Sequence, residues 1–130
     1  YLIFNTNKKF TENRTLIKLK EYKIDLILLA GYMKILSKRF IRSFGKSIIN
    51  IHPSLLPKFK GLDTFKKVLT NKEIKTGCTV HFVTDKLDDG NVILKKFFYI
   101  DQKDSIESLK KKTQKLEYNA FSEAIIKIVK

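Results

Sequence analysis

The chain has 130 residues, 43% of them apolar and 31% charged, a balance that suits one globular domain able to bury its own core without a covalent staple. Basic residues outnumber acidic ones 27 to 13, yet only Arg14, Arg39 and Arg42 are arginines, so the fork donors that read base edges are scarce and sequence-specific nucleic-acid recognition is disfavoured. The single cysteine, Cys78, excludes a disulfide framework, no run approaches the roughly 18 apolar residues of a membrane helix, and no signal-peptide pattern is present, which together fit a cytoplasmic protein.

In chain order, the apolar residues 1–4 predict a short strand. A chain that opens there without methionine reads as the continuation of a longer, N-terminally truncated protein. Residues 12–22 predict a helix with Leu16, Ile17 and Leu19 on or near one face. Residues 24–30, apolar apart from Asp25, predict a strand buried on both faces and ended by Gly31. Ser37 is placed to cap a short helix through Phe44, with Gly45 closing it. Residues 47–51 predict a second buried strand, and residues 52–61, with Pro53 and Pro57, a stiffened loop. Asp63 is placed to cap a helix to about Asn71. Residues 78–84 and 92–100 predict two strands forming an antiparallel hairpin across a turn dense in Asp and Gly. Asp104 and Glu107 have capping-box spacing before a long helix whose apolar stripe includes Ile106, Leu109, Leu116, Ala120, Ala124 and Ile128. The order of elements predicts a single α/β domain over residues 1–130, with an open, mostly parallel twisted sheet and helices on both faces.

In open α/β sheets, sites lie beyond the carboxyl ends of strands. Residues 31–34, 50–53 and 85–90 meet that rule. Asn50 and His52 are two apart on a strand and so project from the same face. An amide and an imidazole together suit addition at a carbonyl-like carbon: the amide donates to the developing oxyanion, and the imidazole donates or shuttles a proton. Asp85, Asp88 and Asp89 are the carboxylates placed to orient that imidazole. His81, in an alternating strand, reads as a packed histidine, and Cys78 as a buried, inert thiol. Two histidines and one cysteine without metal-ligand spacing predict no metal site. Chain-wide enrichment in Ile, Asn, Phe and Lys, all encoded by AT-rich codons, accounts for much of the lysine excess. The positive field nevertheless suits an anionic substrate.

The run 50–57, Asn-Ile-His-Pro-Ser-Leu-Leu-Pro, resembles the signature of formyltransferases that use 10-formyltetrahydrofolate. Its continuation Gly61-Leu62-Asp63-Thr64, the segment 77–85 with Leu87-Asp88-x-Gly90, and Leu29-Ala30-Gly31-Tyr32-Met33-Lys34-Ile35-Leu36 are similar to the glycinamide ribonucleotide branch. The resemblance runs from about Ile24 to the C-terminus.

It implies transfer of the formyl group from 10-formyltetrahydrofolate, without metal, to the amine of 5-phosphoribosylglycinamide in purine (IMP) biosynthesis. Asn50 and His52 would stabilise the tetrahedral intermediate, with Asp88 tuning His52. It also implies folate contacts at Met33, Lys34, Ile35, Leu36, Asn50, Thr84 and Asp85, and an amine-end contact at Glu117. Partners would be small molecules, with no specific nucleic acid and no membrane, and the working unit a monomer or homodimer. The alternatives are methionyl-tRNA, deformylating or sugar-modifying relatives, disfavoured by residues 61–64, and a basic nucleic-acid-binding module.

The chain departs from the family pattern in four places. Lys34 stands where the family has Arg, Tyr118 where it has His, and Lys8 or Lys9 near another family Arg. The family's first strand and Gly-rich phosphate loop have no counterpart here. Weak nucleotide binding and an open sheet edge are therefore expected.

Overall fold

A computed structural model describes residues 11–130, so the strand expected at residues 1–4, Lys8 and Lys9 lie outside the described residues. The elements are α1 (Glu12–Glu21), β1 (Leu26–Leu29), α2 (Lys38–Phe44), β2 (Ser47–His52), α3 (Thr64–Thr70), β3 (Lys75–Phe82), β4 (Val92–Tyr99) and α4 (Ile106–Val129). The four strands form one open sheet in the order β1-β2-β3-β4, and β1 pairs with β2 alone among the described residues.

The open sheet with helices is as expected, but among the described residues it is mixed, not mostly parallel: β1 and β2 run parallel, and β2–β3 and β3–β4 are antiparallel. A parallel return needs a crossover laid across the sheet. Here α3 packs on α4 instead, and β3 enters at the far end of β2. The hairpin of β3 and β4 is as expected, although β3 begins at Lys75 and ends at Phe82, before Val83 and Thr84.

Strand alternation sorts the two faces. Ile49 and Ile51 of β2 join Cys78 and Val80 of β3 under Ala120 and Ala124 of α4. Ile48 faces the other way, into a cluster with Leu19 of α1, Phe40 of α2 and Leu36. Helices thus cover both faces. Leu28 of β1, expected to be buried, is 43% exposed, and Ile17 of α1 points outward at 67%.

The helix ends follow local chemistry. Ser37 Oγ accepts from the Phe40 N–H, and the Ser37 N–H and hydroxyl both donate to Glu12, which ties α2 to α1. Gly45 closes α2 in the left-handed region at φ 65°. Asp63, at φ 58°, makes no side-chain cap of α3; only its carbonyl accepts, from the Lys67 N–H. The capping box of α4 is Ser105 with Ser108, not Asp104 with Glu107.

Asp104 serves the same corner differently, accepting from Lys112, the Ser108 hydroxyl and the Asp101 N–H. Lys112 first, then Ser108, holds its carboxyl down to about 2 from the ordinary 3.8. Its contribution to stability is therefore complete above pH 3.8 and fades as the pH falls towards 2. We expect Asp104→Asn to be less stable than wild type at neutral pH, with the gap closing across that acid window in denaturant titrations. A gap independent of pH would refute this role.

Candidate active site

Antiparallel pairing of β2 with β3 sets Asn50 opposite His81 and His52 opposite Thr79. The residues between them, Ile51 and Val80, face α4. Alternation therefore gathers four polar side chains on the opposite face, away from α4.

Loop 53–61 is folded back over this quartet and fastened to it. The buried Thr79 hydroxyl accepts from the Leu56 N–H at 3.1 Å and donates to the Ser54 carbonyl at 2.8 Å. The Ser54 hydroxyl donates to the Lys58 carbonyl, and Lys95 Nζ donates to the Leu56 carbonyl. The loop in turn presents the Phe59 carbonyl, 2.8 Å from His52 Nε2, so that this nitrogen carries a hydrogen and the ring is fixed.

The turn after β3 closes over the same loop. Because β3 runs against β2, strand direction alone would carry residues 83–91 away from the end of β2. The turn doubles back instead, with the Phe82 N–H donating to the Asn91 carbonyl. Gly90 packs so closely on Phe82 that no side chain fits there.

Of the three candidate carboxylates, only Asp88 meets a histidine. Its Oδ2 accepts from the Gly61 N–H at 2.9 Å and lies 3.4 Å from His52 Nδ1. Both side chains are almost wholly buried, at 7% and 6% exposure. Asp88 has φ 49°, a left-handed conformation that aspartate tolerates better than most residues. Asp89 pairs with Lys60, which holds its carboxyl low, and Asp85 lies 3.7 Å from Lys38.

Asn50, His52 and Asp88 line one cavity of about 550 Å³. Its walls include Met33, Lys34, Ile35 and Leu36 from the segment after β1, Thr84 and Asp85 from the turn, and Glu117 from α4. Met33 and Ile35 expose 75% and 74% of their surface there, a large apolar area for a small domain to leave uncovered. Burial raises the Glu117 carboxyl above its ordinary value. Cys78 is fully buried on the α4 face, and its thiol is pushed up to about 12, chiefly by burial. Among the described residues, no group of three or more His, Cys, Asp and Glu side chains is arranged to hold a metal ion. No helix there is long and apolar enough to cross a membrane.

A family profile described as formyl transferase matches residues 4–125. The chain belongs to the formyl transferase family. It is 43% identical to the phosphoribosylglycinamide formyltransferase of Haemophilus influenzae over 103 residues, covering 79% of this chain and 49% of that protein. It is 42% identical to the trifunctional purine biosynthetic protein adenosine-3 of Gallus gallus over 107 residues, 82% of this chain and 11% of the other. The crystal structure of phosphoribosylglycinamide formyltransferase from Bacillus halodurans superposes with a TM-score of 0.85 at 33% identity, covering 91% of this chain and 61% of that one. The chain thus spans about half the length of the Haemophilus protein.

Within this formyl transferase chain, sequence reasoning missed the Phe59 carbonyl and the Gly61 N–H, backbone groups that carry no side-chain signal, and Thr79, which fastens loop 53–61. Thr79 did leave a signal: it is a polar member of an alternating strand whose apolar members, Cys78 and Val80, mark the core face. His81 is packed into that strand, as expected.

Proposed function

We propose that this chain is the single catalytic domain, C-terminal portion, of a phosphoribosylglycinamide formyltransferase. It would transfer the formyl group of 10-formyltetrahydrofolate to the amine of 5-phosphoribosylglycinamide in cytoplasmic purine synthesis, as a monomer or homodimer. The observation that carries this reading is the meeting of Asn50, His52 and Asp88 in one cavity, with His52 Nδ1 3.4 Å from Asp88.

The cavity fits a folate donor in size and lining. Met33, Ile35, Leu36 and Leu87 offer apolar walls for a flat heterocycle, and backbone groups of residues 84–88 can read its polar edge. When bound, the donor supplies an electrophilic formyl carbon.

The chain's own groups then divide the work. The Asn50 amide donates to the formyl oxygen as charge builds on it. A proton on His52 Nδ1 would lie beside Asp88, and the positive charge it gives the ring would favour negative charge on the same oxygen. The Phe59 carbonyl holds the His52 ring in orientation. Glu117, whose carboxyl is raised by burial, suits a contact at the amine end, and in its ionised form it can accept a proton there. Lys34, a point charge where the family has a fork, serves through charge and backbone.

The test supplies the purified protein with 10-formyltetrahydrofolate and each acceptor in turn and follows release of the folate product. We expect release with 5-phosphoribosylglycinamide. Release only with initiator tRNA, or with water alone, would replace this reading by one of the other folate-dependent activities.

A further inference from the structure

His81 has the same architecture as His52 in mirror arrangement. Its Nδ1 donates to the Phe82 carbonyl at 2.9 Å, so its other nitrogen, Nε2, is bare in the neutral ring. That Nε2 is buried, has no hydrogen-bond partner, and points at Asp88 Oδ1 from 3.7 Å. His52 likewise gives Nε2–H to a carbonyl and turns Nδ1 towards Asp88 Oδ2. One buried carboxylate is therefore flanked by two imidazoles, each locked by a main-chain acceptor on its far side. Neither can swing away, and neither can bond to Asp88 unless a proton sits between them. With both rings neutral and Asp88 ionised, a lone pair faces an anionic oxygen on each side, which is repulsive between side chains this deeply buried.

We infer that His81 is a positioning residue for this site: when a proton lies between Nε2 and Oδ1, His81 anchors that oxygen, so that Oδ2 stays between the Gly61 N–H and His52. The three groups then act as one proton-sharing cluster, not as a His52–Asp88 pair beside a packing residue. The activity arm of this inference rests on the formyl-transfer reading; the cluster itself does not. The other charged groups on the cavity are Lys34, Asp63, Asp85, Lys86, Lys110 and Glu117. The hydrogen-bond and ion-pair partners of the two imidazoles are instead Phe59, Phe82 and Asp88. The cross-strand register explains why His81 is well placed: it lies directly opposite Asn50, and only the Ile51–Val80 pair, which faces α4, separates it from the His52–Thr79 pair.

The chain contains only these two histidines, so ring-nitrogen NMR of the isotope-labelled full chain resolves both. At neutral pH we expect a proton held between His81 Nε2 and Asp88, shielded from exchange with water, that is lost in Asp88→Asn, and a changed His52 Nδ1 signal in His81→Leu. A bare His81 Nε2 in folded wild type would overturn the inference, even if His81→Leu fails to fold. In turnover assays, His81→Leu should lose part of the roughly 100- to 10,000-fold that acid–base groups supply, in kcat and not in KM. His81→Gln, which keeps a donor towards Asp88, should recover most of that loss. Equal rates and pH profiles for wild type and His81→Leu would sink the proposal. Absence of any formyl transfer, with the His81–Asp88 proton in place, would count against the formyl-transfer reading and leave the cluster standing.

Discussion

Replacing Asp88 by asparagine is expected to lower kcat/KM for formyl transfer by about 100- to 10,000-fold while the protein stays folded. Asparagine is the informative choice because Asp88 sits at φ 49°. Alanine there would add strain of about 1 kcal/mol, whereas asparagine visits the left-handed region readily. The amide oxygen can still accept from the Gly61 N–H, so the turn should remain docked on loop 53–61. The change removes the negative charge beside His52 and leaves the contacts that shape the turn. Steady-state kinetics, with thermal unfolding as a control for folding, measure the effect. A near-normal rate in a well-folded variant would remove Asp88 from the chemistry and, with it, the reason for placing His52 there.

Gly90→Ala should be damaging for a different reason. A Cβ at this position would lie 1.7 Å from the Phe82 carbonyl oxygen and 2.7 Å from its carbon. The clash is with backbone, so no rotamer change relieves it. Phe82 is held from both sides, its N–H by the Asn91 carbonyl and its own carbonyl by His81 Nδ1. The hairpin end has to open, which should cost at least the 1–3 kcal/mol typical of forcing atoms into packed space. Opening the hairpin moves Asp88 and releases the His81 ring together. Denaturant unfolding and turnover should therefore fall in the same variant. Full stability with full activity would mean that the turn is far more pliable than its packing implies.

Much of this architecture was legible in the residues. The α2 caps, Ser37 and Gly45, were readable because capping is local chemistry. The hairpin of β3 and β4 was readable because a short turn leaves no other pairing. The direction of β3 relative to β2 was not. The apolar runs in β1 and β2 imply coverage on two faces but say nothing about which end of the sheet the next strand enters. Asp104 misled because aspartate three residues before glutamate mimics a capping box, while Ser105 with Ser108 makes the real one and Asp104 takes the lysine. In the site, Asn50 and His52 were legible from strand parity. The groups that hold the site closed were not: the Phe59 carbonyl on His52 and the Gly61 N–H on Asp88 are main-chain groups that any residue would carry.

The pairing of Asn50 with His81 and of His52 with Thr79 also makes reactivity and folding inseparable. Sliding β2 by one position against β3 would turn Ile49 and Ile51 out of the hydrophobic interior and drive an amide and an imidazole beneath α4. No misaligned yet well-packed version of this sheet is available to the chain. A population that has formed its apolar interior has, by the same geometry, already set Asn50 and His52 side by side on the opposite face.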